Sequence, residues 1–193
     1  AHDGLSAVLV DPAIKLLQDK GASIQFGHEL REFTMTGGNV GELKFGSDTI
    51  TLGPDDVVVL AGPPRPAAAL LPGLKTPSKF RAIVNAHFRF DPPPGMPAIL
   101  GVIGGTVEWL FAFPGRLSVT ISNGDRLVEL PREELAQAIW RDVCKAAAVA
   151  GKLPPWQIVR ERRATFEATP EQNALRPGPV VGACKNLFLA GDW

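Results

Sequence analysis

The sequence has no tyrosine, which removes one common acid–base group from any enzyme site it could build. Cysteine is nearly as scarce. Cys144 and Cys184 lie far apart with no CxxC spacing, so neither a disulfide framework nor a zinc site follows. Cys144 falls inside a helical pattern and reads as a small core hydrophobe, which suits a reducing, cytoplasmic compartment. There is no excess of charge either: 20 Lys and Arg balance 20 Asp and Glu. Without a basic surplus to neutralise phosphates, nucleic acid is not expected as the partner. No apolar run reaches the roughly 18 residues of a membrane span, and no signal peptide is visible. The three histidines, His2, His28 and His87, have no metal-ligand spacing, so no metal site is expected. G-x-S-x-G is missing. The glycine-rich stretches TGGNVG and GVIGG do not fit G-x-G-x-x-G between a strand and a helix, and read as hairpin turns.

What is present is enough for a core. The chain has 193 residues, of which 45% are hydrophobic, so it should fold. Apolar residues at helical spacing, with Pro12 early and Lys20-Gly21 as a stop, predict a helix over about 11–20. Short alternating segments broken by TGGN, GSD and GPDD predict an antiparallel meander with strands at 22–26, 29–35, 40–45 and 49–52. Val57 to Ala61 is continuously apolar and reads as a strand buried on both faces. PPRPAAALLPGL (63–74) reads as a short Pro-started helix. Further strands are expected at 82–90, 98–103, 107–113 and 117–122. The segment 131–152 is the strongest helix, with Leu135, Ile139, Val143 and Ala147 on one face. Residues 156–168 read as a long strand whose RERR run (160–163) is a solvated face, and 169–185 as a loop-rich return.

The fold class expected is α+β, a mixed and largely antiparallel sheet protein with flanking helices. Pieces near 1–75 and 180–193 should share one sheet system, and residues 76–179 should form an inserted antiparallel sheet with one long helix. Trp109, Phe111 and Phe113 alternate on one strand and face the same way, as do Phe88 and Phe90. These aromatic stripes are either plain core or the walls of a long apolar pocket.

The chain begins AHDGLSAVLV without an initiator Met and ends NLFLAGDW, one residue after an apolar strand has delivered Gly191-Asp192. A strand ending this way normally meets a ligand or the next helix at its carboxyl end. KNLFLAGDW closely resembles the C-terminal FAD motif of the flavin amine oxidase and phytoene desaturase superfamily. GASIQFGHELREF resembles the superfamily's strand pair in which a backbone group near Leu30 holds the adenine. DDVVVLAGPPRPAAALLPGL, with Ala61, resembles the strand and turn that lead from the FAD domain to the substrate domain. PPWQIVRERRATFEATPEQNALRPG, VEWLFAF and LSVTISNGDRLVELPREELAQAIWRDV resemble the squalene-associated FAD-dependent desaturases within that superfamily. AIVNAHFRF resembles a strand on which amine oxidases carry a flavin-facing Lys, but offers Asn85 and His87 instead.

The resemblance implies the C-terminal half of a flavoprotein about twice this length, lacking its Rossmann N-terminal segment. FAD would be held in the full-length protein and not retained by these residues alone, with Leu30, Ala61, Gly191 and Asp192 on the cofactor side. Asp192 would bond a ribitol hydroxyl or cap a helix. A hydrophobic isoprenoid would lie against Phe88, Phe90, Trp109, Phe111 and Phe113. The implied reaction is reductive removal of the hydroxyl of hydroxysqualene, giving squalene, in hopanoid synthesis. A carotenoid-type desaturase, a flavin amine oxidase and a non-catalytic substrate-domain fragment stay open. So greasy a substrate implies peripheral contact with a bilayer, and a fragment would associate with itself through surfaces its missing half covers.

Overall fold

The computed structural model describes residues 4–182 and 184–193. The chain mixes helix and sheet, and its larger sheets are antiparallel. It divides into two compact units. One comprises Ala1–Gly62, Ala69–Pro72 and Gly178–Gly191; the other comprises Pro63–Ala68, Gly73–Pro177 and Asp192–Trp193.

The first unit opens with a π-helical stretch, Ser6–Val10, that runs into helix α1, Asp11–Asp19. Neither buries a residue. Strands β1 (Glu32–Thr36), β2 (Asn39–Phe45) and β3 (Asp48–Thr51) form an antiparallel meander. The turn between β1 and β2 is Gly37-Gly38, with φ of +59° and +81°. Two successive left-handed residues make the turn whose twist suits a tight hairpin. A strand expected at 22–26 does not form; that segment has no ladder partner and leads as loop into β1. β4 (Val58–Leu60) pairs in parallel with the last strand of the chain, β10 (Leu187–Leu189).

The expectation that 57–61 is buried on both faces is corrected. Val58 is buried, but Val57 and Val59 are exposed, because β4 has one neighbour and one packed face. A single side chain staples the meander to the parallel pair. Asn186 Oδ1 accepts from Val40 N–H at 2.8 Å, while its Nδ2 donates to Val40 O at 3.0 Å and Asp56 O at 3.3 Å. The small core here is Phe33, Val40, Val58, Cys184 and Leu187.

The short helix α2 (Pro64–Leu70), whose residues are divided between the two units, precedes the five-stranded antiparallel sheet of the second. Its strands are β5 (Phe80–Phe88), β6 (Ile99–Gly101), β7 (Trp109–Phe113), β8 (Arg116–Ile121) and β9 (Trp156–Phe166), in spatial order β6-β7-β8-β5-β9. Helix α3 (Arg132–Ala146) lies across one face and buries Leu135, Ala136, Ile139, Trp140 and Val143. Glu133 and Glu134 in its first turn and Lys145 in its last oppose the helix dipole favourably.

α3 stops short of the expected 152. Ala148 takes φ +52°, Val149 N–H bonds Cys144 O at 3.0 Å, and Ala148 N–H reaches Lys145 O at 3.4 Å. This is a Schellman cap with alanine where glycine is usual. The β5–β9 ladder shifts register between Arg81 and Ile83, which face Thr165 and Glu161, so the extra residues of this bulge lie on β9. Opposite the bulge, Ala82 gives its N–H to Asp125 Oδ1 at 2.8 Å and takes Gly124 N–H at 3.0 Å. A Cβ on Gly124 would stand 2.8 Å from Ala82 O, so this stitch needs glycine.

Two readings of the last third are also corrected. RERR is not simply solvated: Arg160 donates to Val128 O at 2.8 Å and Leu130 O at 2.6 Å, and Arg162 bonds Glu129. In the supposed loop after β9, Thr169 caps a short helix, α4 (Pro170–Asn173). Its buried Gln172 accepts from Ser78 and Lys79 N–H at 2.8 and 3.0 Å.

Candidate functional site

Direct cross-strand partners share a face of a sheet, so the register assigns every side chain of the second unit to one of two faces. One row runs Leu100, Leu110, Val119, Ala86, Ile158 across the five strands. All five belong to, or pack against, the core cluster that contains α3. The neighbouring rows point the other way. One is Ile99, Phe111, Ser118, His87, Gln157; the next is Gly101, Trp109, Thr120, Asn85, Val159. This second face stays open: Ile99 is 58% exposed, Trp109 46% and Val159 43%.

The register separates the two aromatic stripes. Trp109, Phe111 and Phe113 lie on the open face, and the Arg116 guanidinium stands 4.6 Å over the Phe113 ring. Phe88 and Phe90 do not join them, so the five aromatic residues do not form one continuous wall. Phe88 is 0% exposed, and its ring centroid lies 5.0 Å from that of Trp140 on α3. Phe90 meets Trp140 edge-on at 5.2 Å. Both pack against the core, Phe88 also bordering the cavity beside His87 and Phe90 half-buried.

Two polar pairs interrupt the open face. Thr120 Oγ1 donates to Asn85 Oδ1 at 2.7 Å, and His87 Nδ1 bonds Ser118 Oγ at 2.9 Å. Burial, and then the nearby Arg116 charge, hold the His87 imidazole below its usual range, so it is neutral at neutral pH. Beside it lies a cavity of about 350 Å³ bordered by His87, Arg89, Arg116, Trp156 and Gln157. In the sequence alone Asn85 stands out only as not being Lys, and His87 as that and as a histidine without metal-ligand spacing. Their pairing depends on the β5–β8 register, which residue spacing does not reveal.

The four residues expected on a cofactor side fall as follows. The β4–β10 register sets Ala61-Gly62 beside Ala190-Gly191 at the carboxyl ends of two parallel strands. Ala190 N–H bonds Leu60 O at 3.1 Å. Leu30 packs on the same small core as Leu60. Asp192 follows Gly191 directly and is exposed, and its backbone carbonyl accepts from Arg176 Nη2 at 3.3 Å. Among the described residues no group of three His, Cys, Asp or Glu side chains could hold a metal.

Against this geometry stand the comparisons with known proteins. The sequence model of the family described as flavin containing amine oxidoreductase matches residues 1–193. The chain belongs to that family. It is 69% identical over 193 residues to the hydroxysqualene dehydroxylase of Sinorhizobium fredii, and 70% over 194 residues to that of Rhodopseudomonas palustris. Each alignment covers 100% of this chain and 46% of the relative, so the chain spans about half the length of the curated relatives it matches. Among solved structures, an oxidoreductase from Methanosarcina mazei matches with a TM-score of 0.70 at 14% identity, over 95% of this chain and 48% of that one. At that identity the likeness speaks for the fold.

The residues present in this flavin amine oxidoreductase chain fit part of a flavin site. Gly191 has φ +148°, a conformation that favours glycine. A Cβ on Gly62 would meet nothing within 4 Å. Small residues at two adjoining strand ends leave room for a ligand to approach the backbone closely, where open sheets bind nucleotides.

Proposed function

We propose that the full-length protein is an FAD-dependent oxidoreductase that removes the hydroxyl of hydroxysqualene reductively, giving squalene for hopanoid synthesis. In this reading residues 1–75 and 180–193 belong to its FAD-binding domain and residues 76–179 form its substrate-binding domain. The observation that carries it is the 69% identity, without a gap in coverage, to a protein named hydroxysqualene dehydroxylase.

The reaction exchanges a C–O bond for a C–H bond and releases water, consuming a hydride and a proton. FAD, when reduced, supplies the hydride. The chain's own residues bind and orient. Ala61 and Gly191 allow backbone contact with the dinucleotide, a backbone group near Leu30 holds the adenine, and the exposed Asp192 carboxylate accepts from a ribityl hydroxyl. Ile99, Trp109 and Phe111 hold the hydrocarbon and keep water from it. The Trp109 ring face stabilises positive charge developing at the reacting carbon.

The substrate's insolubility brings the protein to the surface of a bilayer from the cytoplasm. Among the described residues no helix is long and apolar enough to cross a membrane. These 193 residues alone retain little flavin. They associate with themselves through Leu5, Leu9, Leu16 and Leu17, which are exposed. The test is product analysis with reduced, full-length protein and hydroxysqualene. Squalene is expected. New conjugated double bonds in a polyene substrate, with no squalene formed, would establish a desaturase instead.

A further inference from the structure

The open face of the five-stranded sheet is apolar on its β6–β7 side, polar at its centre and mixed on β9, where Val159 sits between Gln157 and Glu161. Ile99, Trp109 and Phe111 lie on the β6–β7 side and Val159 on β9, with Asn85, Thr120, His87 and Ser118 between them. A wall serving only hydrocarbon would be apolar throughout, because half-burying amide, hydroxyl and imidazole groups is unfavourable unless each finds a partner. Here the partners are incomplete. Thr120 occupies Asn85 Oδ1 and Ser118 occupies His87 Nδ1. Among the described residues, Asn85 Nδ2 and His87 Nε2 have no hydrogen-bond partner on the protein.

We infer that Asn85 and His87, oriented by Thr120 and Ser118, form the recognition site for an uncharged hydroxyl carried in the middle of a long hydrocarbon. The inference rests on the function proposed above and adds to it the residues that select the alcohol. An alcohol oxygen both donates and accepts. It takes a hydrogen bond from Asn85 Nδ2–H and exchanges another with His87 Nε2. The Thr120 bond fixes which way the amide points, and the Ser118 bond fixes the imidazole plane, so little ordering remains to be done on binding. A neutral imidazole suits an uncharged partner. The hydrocarbon product lacks the oxygen, leaves both groups unpaired against its own surface, and is therefore held less tightly. A site built to hydrogen-bond a hydroxyl discriminates strongly against the analogue without it.

The test is equilibrium binding of hydroxysqualene and of squalene to full-length wild-type protein and to Asn85→Leu, His87→Leu and His87→Gln. Wild type should prefer the alcohol. Each leucine variant should weaken alcohol binding by about tenfold and leave squalene binding within about twofold. His87→Gln, which keeps a polar tip, should recover most of the loss. Retained squalene binding shows that the variants are folded. If wild type binds and converts the alcohol but the ratio of the two affinities is the same in all four proteins, the recognition site is wrong and the proposed function stands. If wild type neither binds nor converts the alcohol, the proposed function falls and this inference with it.

Discussion

Two faces of one sheet are built from the same strands, one residue out of step, and they differ in almost everything else. On the covered face, Leu110, Val119 and Ala86 pack under α3 with at most 1% exposure. On the open face, their chain neighbours Trp109, Phe111, Ser118, Thr120, Asn85 and His87 make cross-strand pairs but no core. Strand alternation lets stability and recognition be carried by separate residues on a shared backbone. The open face is thereby free to hold polar groups that a core would reject.

The sharpest way to break the comparison is to truncate two adjacent residues. Leu110→Ala should cost about 2–5 kcal/mol, read as a lower denaturation midpoint, because it leaves a void beneath α3. Trp109→Ala, one position earlier, should shift stability by less than about 1 kcal/mol while weakening binding of the isoprenoid. Equal losses from the two would erase the distinction between faces.

Gly124→Ala should cost about 1–3 kcal/mol, since the new methyl group meets the Ala82 carbonyl that Gly124 itself bonds. Chemical denaturation measures it. Ala148→Gly acts in the other direction. It relieves a left-handed alanine at the α3 cap and should stabilise the covered face by about 0.5 kcal/mol in the same assay. The smallest effect concerns pH. His87 binds a proton less readily folded than unfolded, so protonation favours the unfolded chain. Stability should decline as pH falls from about 6.5 toward the lowered native value, and His87→Gln should flatten that part of the profile.

Much of this architecture was legible in the residues. TGGN announced a tight hairpin, alternation placed β7 and β8, and Pro131 with the acids after it marked the start of α3. The resemblance of KNLFLAGDW to the flavin amine oxidase superfamily, and of the long β9 segment to squalene-associated desaturases within it, agrees with the family and relatives the chain matches. Pairing was not legible. Phe88 and Phe90 have the same spacing as Phe111 and Phe113, and only the β5 register, with the residues that follow the strand, sets them against Trp140. Nor could spacing show that Asn186 ties β2 to residue Asp56, or that Arg160 serves loop carbonyls rather than solvent. Those side chains satisfy backbone groups far away in sequence, and local pattern carries no information about distant partners. α3 ended early for a related reason: its cap is set by the backbone at Ala148, a residue that gives no stop signal.

The central claim is that the isoprenoid alcohol lies on the open face of the five-stranded sheet. Photo-crosslinking of the full-length protein with a diazirine-bearing thirty-carbon alcohol, followed by peptide mapping, tests it most directly. The label is expected on Trp109–Phe113 and Ile83–His87 and should be competed away by hydroxysqualene. Competed label on α3, or none within residues 80–166, would contradict it.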